Sequence, residues 1–206
     1  MHPNPAFRRT EEETALAFAR ARGFGVMTAA GPEGVLAAHV PFVLEGRRLA
    51  AHLVRSNPLA RHLRQGPSHV RLIVSGPDGY ISPDWYGVED KVPTWNYVAV
   101  HLTGALSLAP EAGLLGHLEA LSARFEGRLE KPPWTHEKMS DGVMAKMMRQ
   151  ILPVSMEIAG VESTFKLNQN QPDAARQGAA AALEAGGTPG METAALAGLM
   201  RGLSHE

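Results

Sequence analysis

The chain has 206 residues, of which 44% are hydrophobic and 20% charged, with a formal net charge of −1 when histidine is neutral. This length and balance suit one globular domain, and the lack of a strongly basic composition argues against a domain built mainly to bind nucleic acid. Cysteine is absent, which excludes disulfides and thiolate metal sites. We expect no membrane-spanning segment, and a cytoplasmic location because the start lacks the apolar centre of a secretory signal.

The first half of the chain predicts one helix and then a meander of strands. Residues 11–22 begin with acids and end with arginines, which favours a helix. Short apolar runs rich in β-formers then predict strands at residues 24–29, 35–44, 48–54 and 69–76. Between the last two, Asn57 can cap and Pro58 can open a short helix.

The second half predicts a long strand, several helices and a late strand. The strand covers residues 94–108, and apolar helical faces predict helices at residues 110–127 and 140–152, the second stopped by Pro153. Residues 154–167 predict a strand pair or one long bent strand. This order predicts an α+β fold whose antiparallel sheet closes into a small barrel with packed helices.

Five of the six Trp and Tyr residues lie in two neighbouring segments, "GPDGYISPDWY" (76–86) and "VPTWNY" (92–97). Such a cluster forms either a structural corner or the wall of a site for a flat ligand. We expect "GPDG" to be a turn and expect structural roles for Trp85 and Tyr86.

Common catalytic and metal-binding motifs are missing from the sequence. The nine histidines form no HExxH or HxH pair, so we expect no metal site, and there is no GxSxG, GxGxxG or Walker loop.

One juxtaposition does suggest a binding site. A hairpin would bring residues 39–42 close to residues 52–56, and the second strand runs into the predicted helix start at Asn57. Ser56, Asn57, Arg55 and Arg61 could hold a phosphate there. The alternative is that Asn57 merely caps the helix and the arginines are solvated.

Five segments taken together resemble the PaiB-type FMN-binding proteins, which are described as negative transcriptional regulators. The resemblance runs in order over residues 1–180, through the strings "AAHVPFVL", "AHLVRSNPLARH", "GPDGYISPDWY", "KVPTWNY" and "FKLNQNQP". It implies a flavin-binding split barrel of the pyridoxamine-phosphate-oxidase-like kind. It also implies a homodimer that holds FMN in two clefts shared between the subunits.

The same resemblance implies roles for twelve residues. His39, Val40 and Pro41 would lie along the flavin ring. His52, Ser56, Asn57 and Arg61 would surround the FMN phosphate. Trp95, Asn96 and Tyr97 would face the flavin from the partner subunit, and Lys166 and Gln169 would close the cleft.

We therefore predict an FMN-binding split-barrel domain over residues 1–180 and an Ala/Gly-rich tail over 181–206 that can be helical. The first functional hypothesis is a flavin-dependent regulator or sensor, the second an FMN-dependent oxidoreductase acting on a small molecule, and the third a module that binds another ligand. DNA binding has little support from charge, and the helix at residues 140–152 is not followed by the second helix that a helix-turn-helix needs.

Overall fold

The computed structural model describes residues 1–186 and 188–203. Over these residues the α-helices are α1 Glu12–Arg22, α2 Pro58–Leu63, α3 Leu114–Glu126, α4 Val143–Met148, α5 Asp173–Ala185 and α6 Thr193–Arg201. The strands are β1 Phe24–Gly31, β2 Gly34–Glu45, β3 Arg48–Val54, β4 Ser68–Ile81, β5 Thr94–Leu108 and β6 Ile151–Lys166. Short 3-10 helices cover Pro5–Phe7, Pro83–Tyr86, Glu111–Gly113 and His136–Lys138.

The six strands close into a barrel in the order β1-β2-β3-β6-β5-β4, which confirms the predicted α+β barrel. The chain forms two compact units. Unit 1 comprises Met1–Leu16, Ser75–Val100 and the described residues from Glu162 onward, and unit 2 comprises Ala17–Val74 and His101–Val161. None of the helices in the described ranges has the length and apolar character needed to cross a membrane.

Unit 2 has a core built from alternate residues of its strands. In β1 and β3 every second side chain is buried, as expected for strands with one face against a core. Leu49 of β3, for example, lies opposite both Leu44 of β2 and Met156 of β6, and all three are buried. The register of the antiparallel pairs therefore fixes which side chains of β2 and β3 remain outside.

Unit 1 contains the two C-terminal helices, which pack through small and apolar side chains. The buried residues of this helix pair are Ala175, Ala179, Ala180, Leu183, Leu196, Ala197 and Met200. Arg176 is also buried, and it donates hydrogen bonds to the Leu203 carbonyl oxygen and to Asp173. The helical part of the tail is thus packed into unit 1, where Leu183 and Leu196 lie beside Gly79 of β4 and Met200 lies beside Asn96 of β5. Residues 187 and 204–206 of the predicted Ala/Gly-rich tail lie outside the described residues.

The helix predicted for residues 140–152 is wrong at both ends. Helix α4 covers only Val143–Met148, and Ile151 already begins β6, which continues without interruption to Lys166. Residues 151–157 pair with strand β3 instead, with Ile151 opposite Val54 and Pro153 opposite His52, so the sheet takes up the end of the predicted helix. Proline also disfavours helical backbone at the residue before it, here Leu152.

The turn predicted at "GPDG" is also wrong, because residues 76–79 continue strand β4. The Asp78 and Tyr80 N–H groups donate to the carbonyl oxygens of Met191 and Pro189 at 2.9 and 3.1 Å. The Asp78 carboxylate in turn accepts from the Met191 N–H at 3.1 Å. A distant segment thus supplies hydrogen-bond partners that keep these turn-forming residues extended.

Gly104 of β5 offers a test of the barrel packing, since a Cβ at this position would lie 2.3 Å from the Glu157 carbonyl oxygen. We expect Gly104→Ala to lower the free energy of unfolding by about 1–3 kcal/mol, because a rigid backbone atom would have to move. Gly116→Ala in α3 is the control, because its Cβ would meet nothing within 4 Å and should add about 0.5–1 kcal/mol. Urea titrations that rank the two variants the other way would contradict this packing.

Candidate functional site

On β2, only part of the predicted flavin-facing stretch is accessible. His39 is exposed and stacks on Phe24 of β1, with ring centroids 6.4 Å apart and planes inclined by 29°. Val40 points to the opposite side and is 2% exposed, while Pro41 is partly exposed. A ligand on the outer surface can therefore touch the side chains of His39 and Pro41, but only the backbone of Val40. The sequence analysis did not name Phe24 as a candidate site residue. The available signal was its place at the start of the predicted strand 24–29, which comes directly before the strand that contains "AAHVPF".

The turn from β3 into α2 holds its polar groups mostly through internal hydrogen bonds. The Asn57 side-chain oxygen accepts from the Leu59 N–H at 2.8 Å, so Asn57 caps the helix. Arg61 Nη1 donates to the Ser56 carbonyl oxygen at 2.9 Å, which keeps the guanidinium beside the turn. The exposed Ser56 hydroxyl and the other N–H groups of Arg61 are the side-chain donors here.

Arg55, which the sequence analysis grouped with this turn, is directed elsewhere. Its Nη2 donates to the Glu111 carboxylate at 2.7 Å, and its Nε donates to the Arg149 carbonyl oxygen at 2.7 Å. These two bonds tie β3 to the segments that flank α3 and α4. Arg55 therefore has a structural role in unit 2.

His52 of β3 has a partner that the sequence did not indicate. Its Nδ1 lies 3.2 Å from Nε2 of His117 on α3, and the two rings meet edge to face. Burial lowers the pKa of His52. Burial, and secondly the charge on His52, lowers the pKa of His117 to about 4. At neutral pH both rings are thus uncharged, and the N–H of one ring donates a hydrogen bond to the nitrogen of the other.

In unit 1, the predicted residues on β5 alternate between two sides of the strand. Trp95 is 44% exposed and Tyr97 is partly exposed, whereas Asn96 is completely buried. The Asn96 amide nitrogen lies 3.4 Å from the sulfur of Met200 on α6. The side chain of Asn96 therefore cannot face the same ligand as its two neighbours.

Lys166 and Gln169 are three residues apart in unit 1, and they differ in whether a hydrogen-bond donor remains for a ligand. Lys166 Nζ donates to the Thr94 hydroxyl and the Trp95 carbonyl oxygen, and burial lowers its pKa. An ammonium has three N–H groups, so one remains for a ligand. The Gln169 amide binds the carbonyl oxygens of Phe165 and Ala6 and the N–H of Leu167. Gln169 thus organises the local backbone.

Lys166 lines a cavity of about 340 Å³ in unit 1 together with Phe7, Tyr86, Thr94 and Asn168. Asn168 is 3% exposed, its side-chain oxygen accepts from the Tyr86 hydroxyl at 3.2 Å, and its amide nitrogen is buried without a partner. Such a donor is costly unless something accepts from it. The sequence analysis did not name Asn168 or Thr94 as candidate site residues, although Asn168 lies inside the "FKLNQN" string. Tyr86, for which we expected a structural role, is bonded to Asn168 and also lines this cavity.

No three His, Asp or Glu side chains in residues 1–186 and 188–203 come together as a metal-binding group. The two histidines at 3.2 Å are therefore a pair without a third protein ligand of this kind. In the described ranges, unit 2 thus offers the Arg61 guanidinium and the exposed Phe24 and His39 rings, and unit 1 offers the Lys166 ammonium and the exposed Trp95 ring.

The His52 and His117 pair predicts a pH dependence of stability. Because the pKa of His117 is about 4 when folded and about 6.5 when unfolded, the unfolded state binds more protons between these values. Stability is therefore complete above pH 6.5 and falls as the pH falls toward 4. We expect a loss of about 1–2 kcal/mol, discounted for solvent screening of a half-buried ring.

Urea titrations at pH 7 and pH 5 measure this loss, and His117→Gln should make it smaller. His69→Gln, at an exposed position of β4, is the control and should keep the parent's pH dependence. An unchanged dependence in His117→Gln would show that the pair does not cause it.

Comparison with known proteins places this geometry in a family. The family described as "Putative FMN-binding domain" matches residues 1–160. The Bacillus subtilis protein "Protease synthase and sporulation protein PAI 2" is 26% identical over 170 residues, which cover 80% of each chain. These matches confirm the PaiB-type resemblance drawn from the sequence motifs.

Two solved structures share the fold. The "FAD and Heme binding protein from Mycobacterium smegmatis" is 17% identical with a TM-score of 0.57, covering 90% of this chain and 83% of that one. The "Flavocytochrome Anf3 from Azotobacter vinelandii" is 20% identical with a TM-score of 0.58, covering 80% and 72%. With the family match spanning most of its length, this chain belongs to the FMN-binding domain family and has the flavin-binding split-barrel fold.

Proposed function

We propose that this chain is a flavin-dependent sensor or regulator of the PaiB type that binds FMN noncovalently. FMN is the cofactor of its family, and the observation that carries the proposal is the set of donors left over after internal hydrogen bonding. Bound FMN supplies electron and hydride transfer, so the protein has only to bind and orient it.

The residues of the chain fit the two chemical parts of FMN. A phosphate dianion suits the guanidinium of Arg61 beside the Ser56 hydroxyl, since both are exposed donors at one turn. A flat ring system suits the exposed stacked pair of Phe24 and His39. In unit 1, the Lys166 ammonium and the unpartnered Asn168 amide suit the acceptor atoms of a ligand.

In this proposal, regulation depends on whether the flavin is oxidised, reduced or released. Among the described residues, α3 and α4 are separated by residues 127–142, and α4 has only six residues. This is not the short turn between two full helices that reads the major groove. We therefore propose that reduction of FMN, or its release, changes the interactions of the protein.

A homodimer is part of this proposal. Trp95 on β5 and Phe24 on β1 are both exposed, and a partner subunit or a ligand could cover such aromatic rings. Sedimentation equilibrium at micromolar concentration measures this directly, and a monomer that binds FMN with full affinity would rule out a shared cleft.

A second function, FMN-dependent oxidoreduction of a small molecule, is favoured by the cavity of unit 1. Its volume of about 340 Å³ is at the lower end for small-molecule sites. The buried Asn168 amide and the Lys166 ammonium could orient a polar substrate there. The first function needs no such cavity.

The phosphate assignment predicts a selective effect of Arg61→Ala. A charge-assisted hydrogen bond contributes about 1.5–3 kcal/mol, so FMN affinity should fall roughly tenfold to a hundredfold. Riboflavin, which lacks the phosphate, should bind with nearly unchanged affinity. Quenching of flavin fluorescence gives both dissociation constants.

Arg64→Ala is the matched control, because Arg64 is an exposed arginine at the end of the same helix. It should change neither affinity. If Arg61→Ala weakens both flavins equally and also lowers the thermal midpoint, Arg61 is structural and does not bind the phosphate.

Steady-state NADPH oxidation separates the two functions. For a sensor, we expect the FMN-loaded protein to consume NADPH no faster than free FMN, although dithionite reduces its flavin. Sustained NADPH consumption by the FMN-loaded protein would instead favour the oxidoreductase. In that case Lys166→Met should lower the rate by about tenfold or more. The flavin absorption spectrum, recorded for both proteins, shows whether Lys166→Met still carries FMN.

A further inference from the structure

Unit 2 contains an apolar groove that the flavin site does not use. Two adjoining cavities of about 280 and 480 Å³ form it, and both are lined by Leu118 of α3, Trp134 and Met144 of α4. Val54 and Ile151 close one end. Combined, the two cavities reach the size of a small-molecule site.

The groove exposes large apolar side chains together. Val54, Trp134 and Met147 are 55%, 40% and 56% exposed. Single exposed apolar residues are ordinary, but a contiguous group around a concave surface is typical of a binding site. The energetic cost of this exposure is removed when a ligand covers it.

One wall of the groove can adjust to the shape of a ligand. Four of the nine methionines of the chain line it, namely Met139, Met144, Met147 and Met148. Methionine side chains are flexible and polarisable, and they suit surfaces that accept ligands of varied shape. The wall therefore favours an organic molecule over a single inorganic ion.

The opposite wall is held in place by hydrogen bonds. The Trp134 backbone N–H donates to the Glu126 carboxylate at the end of α3 at 2.8 Å, and that carboxylate also binds Lys131. Lys138 Nζ donates to the Pro133 carbonyl oxygen at 2.9 Å. The backbone that carries the indole is thus held in place, and the two lysines of this loop are engaged in these bonds.

The end of the groove beyond Trp134 is acidic. Glu119 and Glu137 both line it, and the described residues lining this cavity include no Lys or Arg. His136 contacts Glu119 at 3.3 Å, and the Thr135 hydroxyl donates to Glu137. Two carboxylates at the end of an apolar groove attract a positive charge, and an indole face adds a cation–π contact.

We propose that this groove binds small apolar organic cations, with the charged group at Glu119 and Glu137 and the apolar body against Trp134 and the methionines. The inference is independent of FMN binding. It assigns to the chain a second ligand class, which would bind in unit 2.

Two probes of matched size and opposite charge test this proposal on the full chain with FMN bound. Tetraphenylphosphonium should bind to the groove at least about tenfold more tightly than tetraphenylborate, measured by calorimetry. Glu119→Gln combined with Glu137→Gln should reduce that ratio severalfold. Equal affinities, or tighter binding of the borate, would overturn the proposal.

Trp134→Ala should weaken tetraphenylphosphonium by about tenfold, while Met191→Ala, at an exposed methionine of unit 1, should have no effect. Flavin absorbance should be unchanged in both variants. If Trp134→Ala keeps its thermal midpoint and its phosphonium affinity, the groove is not the site. If it instead converts a dimer into a monomer in sedimentation, a second copy of the chain covers the groove and the proposal is wrong.

Discussion

The side chains of a β-strand alternate between its two faces, and in β1, β3 and most of β5 one of these faces is buried in the core. This constraint limits every candidate residue on a strand. Val40 and Asn96 are buried, whereas His39 and Trp95, each one residue earlier, are exposed. Residues that are adjacent in a motif are therefore divided between core and surface, and only one set can meet a ligand through its side chains.

Internal hydrogen bonding reduces the candidate set further. Asn57 and Gln169 both resemble ligand-binding residues, but their side chains bind neighbouring backbone groups. What remains are donors held in place by such bonds, above all Arg61 in unit 2 and Lys166 in unit 1. Donors that are already positioned lose less entropy when a ligand binds. Within each unit, the internal hydrogen bonds therefore position a donor that a ligand can use.

The histidine pair joins a strand to a helix, since His52 lies on β3 and His117 on α3. His52 alone is a polar residue on a strand, but packing of α3 brings His117 to 3.2 Å from it. The neutral pair occupies a half-buried position that a charged histidine would destabilise. This contact couples the outer surface of β3 to α3, whose other residues line the apolar groove.

The sequence by itself determined the α+β barrel, the first helix and most strands, because acids and arginines mark the ends of the helix and separate apolar runs rich in β-formers mark the strands. The five motif strings together were also sufficient to identify the FMN-binding family. Only the tertiary structure decided the conformation of residues 76–79, which a distant segment holds extended, and the early end of α4. It also decided which motif residues face outward and which histidine contacts His52. These outcomes depend on partners far away in the chain, and a local pattern of residues carries no information about such partners.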